Sequence, residues 1–203
     1  EKALGFIAAN AAAHTPFFLY FASQAPHRNC TPPEFARGKS QAGVRGDMVY
    51  EFDWSLGRIL AKLDELGLAD NTIVILAGDN GNEEMLLHRG TAGFFEGSYF
   101  TGMEGSLRTP CIARWPGRIA EGRVSDEIVQ ITDWFPTLAA MAGIDVPAVR
   151  VVDGKDQTPF LSGEQDTSAR DGFIYWNGPT MYGVKWRNFK LVMVQQKYLT
   201  DPA

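Results

Sequence analysis

The chain has 203 residues, of which 45% are hydrophobic and 21% are charged, and its formal net charge is −5. This composition fits a globular protein with one α/β domain and a small appendage. The charged residues form no basic stripe, which argues against a nucleic-acid-binding surface, and no apolar run is long enough to cross a membrane.

The first half of the chain predicts a helix followed by a strand–helix–strand unit. Ala3 and Ile7 have helical spacing with no strand before them, which is typical of a fragment that begins inside a domain. Residues 17–21 (FFLYF) are a short apolar run and predict a buried strand. Residues 43–67 repeat apolar side chains at steps of three and four and predict an amphipathic helix, and residues 71–77 predict a second strand.

The strand–helix–strand order predicts that polar residues meet at one edge of a sheet. Two strands joined by a crossover helix are parallel, and ligands bind beyond the carboxyl ends of such strands. His27 follows the first predicted strand, whereas Asp79 and Asn80 follow the second. We therefore expect these three residues to converge on one crevice.

The second half of the chain predicts a long loop and then smaller elements. Residues 88–109 are rich in glycine and aromatic residues and predict a functional loop. Residues 110–115 predict a strand, residues 135–141 a helix capped by Thr132 or Asp133, and residues 144–170 a further loop. Three short strands should follow as a small antiparallel sheet, at 173–176, 182–186 and 189–194, with a two-residue hairpin at 187–188.

Asp79 and Asn80 are the most informative pair of candidate ligands. A carboxylate and an amide carbonyl at the end of a strand can share one cation, and such hard oxygen donors suit Ca²⁺ or Mg²⁺ rather than Zn²⁺. The alternative is an ordinary turn, because Asp, Asn and Gly are common where a chain leaves a strand.

His27 is the candidate catalytic residue. It lies between a predicted strand and a proline-rich loop, where an imidazole can act as a general acid or donate to an anionic substrate. The alternative is an exposed loop histidine with no role. Neither His14 nor His88 stands at a recognisable spacing from another candidate catalytic or ligand residue, so we interpret both as ordinary histidines.

Neither cysteine is predicted to be a nucleophile or to form a bridge. Cys30 begins the run CTPPE, whose fifth residue, Glu34, would repel an anionic substrate. Cys111 lies in an apolar predicted strand and is expected to be a core residue.

Five segments together resemble the sulfatase family of the alkaline-phosphatase superfamily, and most of all its bacterial arylsulfatases. They occur in the family's order and cover nearly the whole chain. The segments are PFFLYF with PH at 16–27, GDNG at 78–81, EGSLRTP through RWPG at 104–117, DWFPTL with AG at 133–143, and VKWR through KL at 184–191.

The resemblance implies hydrolysis of sulfate esters with a formylglycine nucleophile and one Ca²⁺, with Mg²⁺ as the alternative. Asp79 and Asn80 match family metal ligands, and His27 matches a histidine that contacts the sulfate and assists the leaving oxygen. The expected partners are a small-molecule or glycan sulfate ester and the missing N-terminal part of the same polypeptide, not nucleic acid or membrane. An extracytoplasmic location is also implied.

The chain departs from the family pattern in two ways. The formylglycine motif and the first two aspartate ligands are absent, so the fragment alone should be inactive. Tyr99 occupies the position of a sulfate-binding lysine and brings no positive charge, which Arg89 could supply from the same loop. Alternatively, Tyr99 only packs the loop.

The expected fold is α/β: part of a mixed, mainly parallel sheet flanked by helices, with a small antiparallel C-terminal element. Residues 1–150 correspond to the C-terminal part of the sulfatase catalytic domain, and residues 151–203 to a small subdomain. Two other functions stay open, a phosphodiesterase or phosphonate hydrolase of the same superfamily and a non-catalytic pseudoenzyme that binds ligands.

Overall fold

A computed structural model describes residues 1–83 and 90–196. The chain divides into two compact units, the first comprising Glu1–Val74 with Asn82–Thr91 and the second Ile75–Gly81 with Ala92–Ala203. The fold is α/β, as predicted, whereas the proposed domain boundary near residue 150 stays a prediction. No helix in the described ranges is both long and apolar enough to cross a membrane.

The first unit is built on two helices, α1 (Lys2–Ala12) and α2 (Gly43–Glu65). Its core consists of Ile7 from α1 and of Ile59 and Leu63 from α2. The two α2 residues are four apart and therefore lie on the same face of the helix, as the periodicity predicted. α2 is followed by Gly67, whose φ of 66° suits the end of a helix.

The predicted buried strand at 17–21 is wrong in both pairing and burial. Phe17 and Leu19 pack against the helical core, but Phe18 is 73% exposed and Tyr20 is 82% exposed. Packed and exposed side chains alternate, as they do in an extended segment. However, residues 16–22 make no backbone hydrogen bonds to any described residue. A strand requires a neighbour, and the local sequence does not say where that neighbour is.

The second predicted strand forms as β1 (Val74–Ala77), which pairs with β2 (Cys111–Arg114) in a two-stranded sheet. Gly78 extends the contact by donating a 2.9 Å hydrogen bond to the carbonyl oxygen of Pro110. Both cysteines are free thiols, as predicted. The expectation that Cys111 is a core residue is wrong, because the first half of β2 is exposed.

A buried polar network holds the segment after β2 together. The short helices α4 (Trp134–Met141) and α5 (Thr158–Ser162) flank it, and α5 was missed because residues 144–170 were predicted to be loop. Asp133 is fully buried and accepts hydrogen bonds from both Nε and Nη2 of Arg170. Gln157 is also fully buried and donates to Asp133.

The small antiparallel sheet is confirmed. Its strands are β3 (Gly172–Asn177), β4 (Thr180–Trp186) and β5 (Phe189–Val192), in the order β3-β4-β5. The hairpin between β4 and β5 turns at residues 187–188, as predicted, with Arg187 at a φ of 47°. Lys185 pairs with Lys190 across this hairpin, so both ammonium groups belong to the same face of the sheet.

Candidate active site

The candidate metal ligands lie on an exposed turn directly after β1. The backbone nitrogen of Asn80 donates to Oδ1 of Asp79 at 3.0 Å, and Nδ2 of Asn80 donates to the carbonyl oxygen of Gly81 at 2.9 Å. With its NH₂ group occupied by the turn, Asn80 has its amide oxygen available as a ligand. A carboxylate oxygen and an amide oxygen at an exposed turn fit a hard cation such as Ca²⁺ or Mg²⁺.

Two ligands are few for such a cation. The described residues contain no group of three or more His, Cys, Asp or Glu side chains that could hold a metal ion. Ca²⁺ takes six to eight oxygen ligands, so further ligands must come from water, substrate or other residues.

The loop that carries Tyr99 is in direct contact with this turn. Gly81 donates a 2.8 Å hydrogen bond to the carbonyl oxygen of Ser106, and Gly105 donates one of 2.8 Å to that of Glu96. A Cβ atom on Gly81 would lie 2.0 Å from the carbonyl oxygen of Gly105, and one on Gly105 would lie 2.1 Å from that of Gly97. Three stretches of backbone therefore touch where only glycine fits.

Tyr99 lies in a four-residue turn of this loop. The backbone nitrogen of Thr101 donates to the carbonyl oxygen of Ser98 at 3.1 Å, which places Tyr99 and Phe100 at the two central positions of the turn. Their ring centroids are 3.9 Å apart. Tyr99 therefore packs against Phe100, and its role in binding sulfate stays a prediction. Arg89 lies outside the described residues, as does His88.

Glu104, which the sequence did not single out as a site residue, forms a cluster of ion pairs in the second unit. It begins the short helix α3 (Glu104–Leu107) and accepts hydrogen bonds from Arg108 at 2.7 Å, Lys190 at 3.0 Å and Lys185 at 3.3 Å. Burial raises the pKa of Glu104, but the hydrogen bonds from Arg108 and Lys190 and the charges of both lysines outweigh it. The pKa of Glu104 falls to about 2.

These contacts tie the loop to the small antiparallel sheet, because Lys185 and Lys190 belong to β4 and β5. Gly102 adds a second link by donating to Oε1 of Gln196 at 2.6 Å. The spacing between Glu104 and its lysines exceeds 80 residues, so no local sequence pattern could have indicated this cluster.

His27 lies in the first compact unit and is exposed. Its Nδ1 is bonded to the backbone oxygen of Arg28, and because a carbonyl only accepts, Nδ1 carries the proton. Nε2 is then the nitrogen available to a substrate. Arg28 in turn forms an ion pair of 3.3 Å with Glu83. The convergence of His27 on Asp79 and Asn80 stays a prediction.

A second unpredicted feature of the first unit is Asn82. Both polar atoms of its side chain are buried without a hydrogen-bond partner within the described part of the chain. A Cβ on Gly90 would come within 2.7 Å of the Asn82 Cβ, so the backbone passes tightly over this amide. Such buried unpaired groups are rare in folded proteins.

Comparison with known proteins decides the family. A family model described as Sulfatase matches residues 1–144, which is more than half of the chain. The chain belongs to the sulfatase family. A second model, described as N-sulphoglucosamine sulphohydrolase, C-terminal, matches residues 90–200.

Individual sulfatases match over most of the chain. Steryl-sulfatase of Mus musculus is 39% identical over 85% of the chain, and N-acetylgalactosamine-6-sulfatase of Canis lupus familiaris is 39% identical over 94%. The PsFucS1 sulfatase structure from Pseudoalteromonas sp. superposes with a TM-score of 0.88 at 30% identity, covering 94% of this chain and 39% of that one. The chain spans only 29% and 36% of the two curated relatives.

Proposed function

We propose that this sulfatase chain carries part of the active site of a sulfuric ester hydrolase, in which Asp79 and Asn80 hold one Ca²⁺ or Mg²⁺. The observation that carries the proposal is the exposed oxygen-donor turn after β1, which is bonded through Gly81 to the loop bearing Tyr99. When bound, the cation supplies positive charge beside the sulfate oxygens, and a formylglycine from outside residues 1–203 supplies the nucleophilic oxygen.

The chain's own residues have two tasks in this proposal. His27 has Nδ1–H fixed by the backbone of Arg28, so in its imidazolium form it can give the Nε2 proton to the alcohol oxygen that leaves the sulfur and become neutral. Tyr99 can donate one hydrogen bond to a sulfate oxygen, in place of a charged group. Arg89 is proposed as the accompanying cation.

The substrate is proposed to be a small-molecule or glycan sulfate ester, and the location of the parent protein to be extracytoplasmic. A phosphodiesterase or phosphonate hydrolase is the first rival. Such enzymes often use two transition metals with histidine ligands, and the amide of Asn80 disfavours them. A non-catalytic pseudoenzyme is the second rival.

The test is hydrolysis by the full-length parent protein. It should cleave 4-nitrophenyl sulfate much faster than bis(4-nitrophenyl) phosphate, and His27→Ala should lower kcat by about 100-fold or more. His14→Ala is the matched control, because His14 is an exposed histidine of the same unit and should not affect the rate. Preference for the phosphate diester supports the first rival, and hydrolysis of neither ester supports the second.

A further inference from the structure

Phe100 has a backbone conformation that its side chain disfavours. Its φ is 71°, and the described residues contain just two other non-glycine residues with positive φ, His14 and Arg187. Phe100 is the third residue of the turn from Ser98 to Thr101, a position at which positive φ calls for glycine or asparagine. Glycine would make the same turn without strain.

The surrounding structure maintains this strained conformation. Ser98 and Thr101, at the two ends of the turn, are buried and joined by a 2.7 Å hydrogen bond from the Thr101 hydroxyl. Immediately afterwards, Gly102 is bonded to Gln196, and Glu104 is bonded to both lysines of the small sheet. A turn anchored on both sides cannot relax, which is the condition under which backbone strain persists at functional sites.

The strain presents an aromatic ring to solvent rather than to the core. Phe100 is 60% exposed, and its ring stacks on that of Tyr99 at a tilt of 31°. If the ring served only to fill the interior, burial would compensate for the strain, but most of its surface stays in contact with water. A mostly exposed phenyl ring stacked on a half-buried tyrosine is a surface suited to stacking with another ring.

The same loop favours a neutral ligand. Residues 92–100 contain four aromatic rings and a single charged side chain, Glu96. Phe94 is 93% exposed, so the loop offers further apolar surface. An anionic ring would meet Glu96 in this stretch, and the guanidinium of Arg108, which lies 4.5 Å from the centre of the Phe95 ring, is already paired with Glu104. An uncharged planar ring meets the apolar faces without such a penalty.

We infer that Tyr99 and Phe100 form the binding element for an uncharged, flat ring in the alcohol portion of the sulfate ester. The inference rests on the proposed function, because α3, which follows the turn with Tyr99 and Phe100, bonds to the candidate metal turn through Ser106 and Gly81. Phe100 is thus a specificity-determining residue, and the strained turn fixes the orientation of its ring.

The decisive variant is Phe100→Gly, with His14→Gly as the matched control at a φ of 49°. Both variants remove a side chain from a positive-φ position, so both should raise Tm. Only Phe100→Gly should weaken binding of 4-methylumbelliferone to the full-length protein, by about fivefold or more. Phe100→Asn, which also tolerates positive φ, serves as a second ring-free variant should the glycine variant not fold.

Turnover supplies the second readout. In Phe100→Gly the KM for 4-methylumbelliferyl sulfate should rise by a similar factor, whereas inhibition by inorganic sulfate should not change. Unchanged binding of 4-methylumbelliferone, or a Tm that falls, would overturn the inference by showing that the ring is only packing. A parent protein without sulfate-ester turnover would overturn the proposed function alone, because the binding comparison needs no turnover.

Discussion

The backbone nitrogen of Gly81 donates a 2.8 Å hydrogen bond to the carbonyl oxygen of Ser106. Through this bond the turn that carries Asp79 and Asn80 is fixed to the loop that carries Tyr99. The contact is so close that a Cβ at Gly81 would also fall within 2.6 Å of the Ser106 Cα. Two segments that are far apart in the sequence are therefore held together in the folded chain.

Gly81→Ala should destabilise the chain by about 3 kcal/mol, because its methyl group has no space beside the backbone of Gly105. Gly57→Ala is the matched control. Gly57 lies within α2 with nothing near its Cβ position, so alanine should stabilise the chain by up to about 1 kcal/mol. Urea unfolding measures both, and equal effects of the same sign would show that the close contact is unimportant.

Arg170→Met should destabilise the chain by about 3–5 kcal/mol, because it leaves the fully buried carboxylate of Asp133 without its charge partner. The control is Arg187→Met, which breaks an ion pair with Asp171 whose side chains are 69% and 47% exposed. In Arg187→Met the free energy of unfolding should fall by less than about 1 kcal/mol. Thermal unfolding of both variants is the measurement, and a mild effect at Arg170 would contradict the burial of this network.

Acid should weaken the ion pairs by which Glu104 joins its loop to Lys185 and Lys190 of the small antiparallel sheet. The pKa of Glu104 is about 2, below its ordinary value of 4.5, so its ionised form is favoured in the folded chain. The stabilisation is therefore complete above about pH 4.5 and disappears as the pH falls towards 2. Allowing for solvent screening, it amounts to about 1–2 kcal/mol.

Glu104→Gln should accordingly flatten the dependence of unfolding free energy on pH between about 4.5 and 2. Glu65→Gln is the control, because that carboxylate is 63% exposed and its ion pair is with a single lysine. If the two variants show the same dependence on pH as the unaltered chain, the cluster around Glu104 contributes nothing.

The elements that depend on local sequence patterns were predicted correctly. The helix at 43–65 follows from its apolar spacing, and the hairpin at 187–188 follows from two short runs separated by two residues. The strand at 17–21 failed because pairing depends on a distant neighbour. The links from Glu104 to Lys185 and Lys190 were missed for the same reason.

The candidate site was predictable only in part. Asp79 and Asn80 were selected by their place after a strand and by family resemblance, and the structure adds how Asn80 is oriented. The strained conformation of Phe100 had no signal in the sequence, because aromatic residues rarely occupy such turn positions. The amide of Asn82, which is buried without a partner among the described residues, was equally invisible, since burial of individual atoms is a property of the fold.

Residues 1–203 alone should not hydrolyse 4-nitrophenyl sulfate, even with excess Ca²⁺. The Cys/Ser-x-Pro-x-Arg motif is absent from this sequence, and a histidine with two metal ligands only positions a substrate. The assay compares the purified chain with buffer and with Asp79→Ala. Turnover above the buffer rate that disappears in the variant would reveal a nucleophile within the chain.

The metal content of the full-length protein tests the central claim most directly. Elemental analysis of the purified protein should find one Ca²⁺ or Mg²⁺ per chain, and Asp79→Ala should lose it because a carboxylate ligand is removed. Asp126→Ala is the control, since Asp126 is an exposed carboxylate on a different segment. Retention of the cation by Asp79→Ala, or two transition-metal ions per chain, would contradict the account.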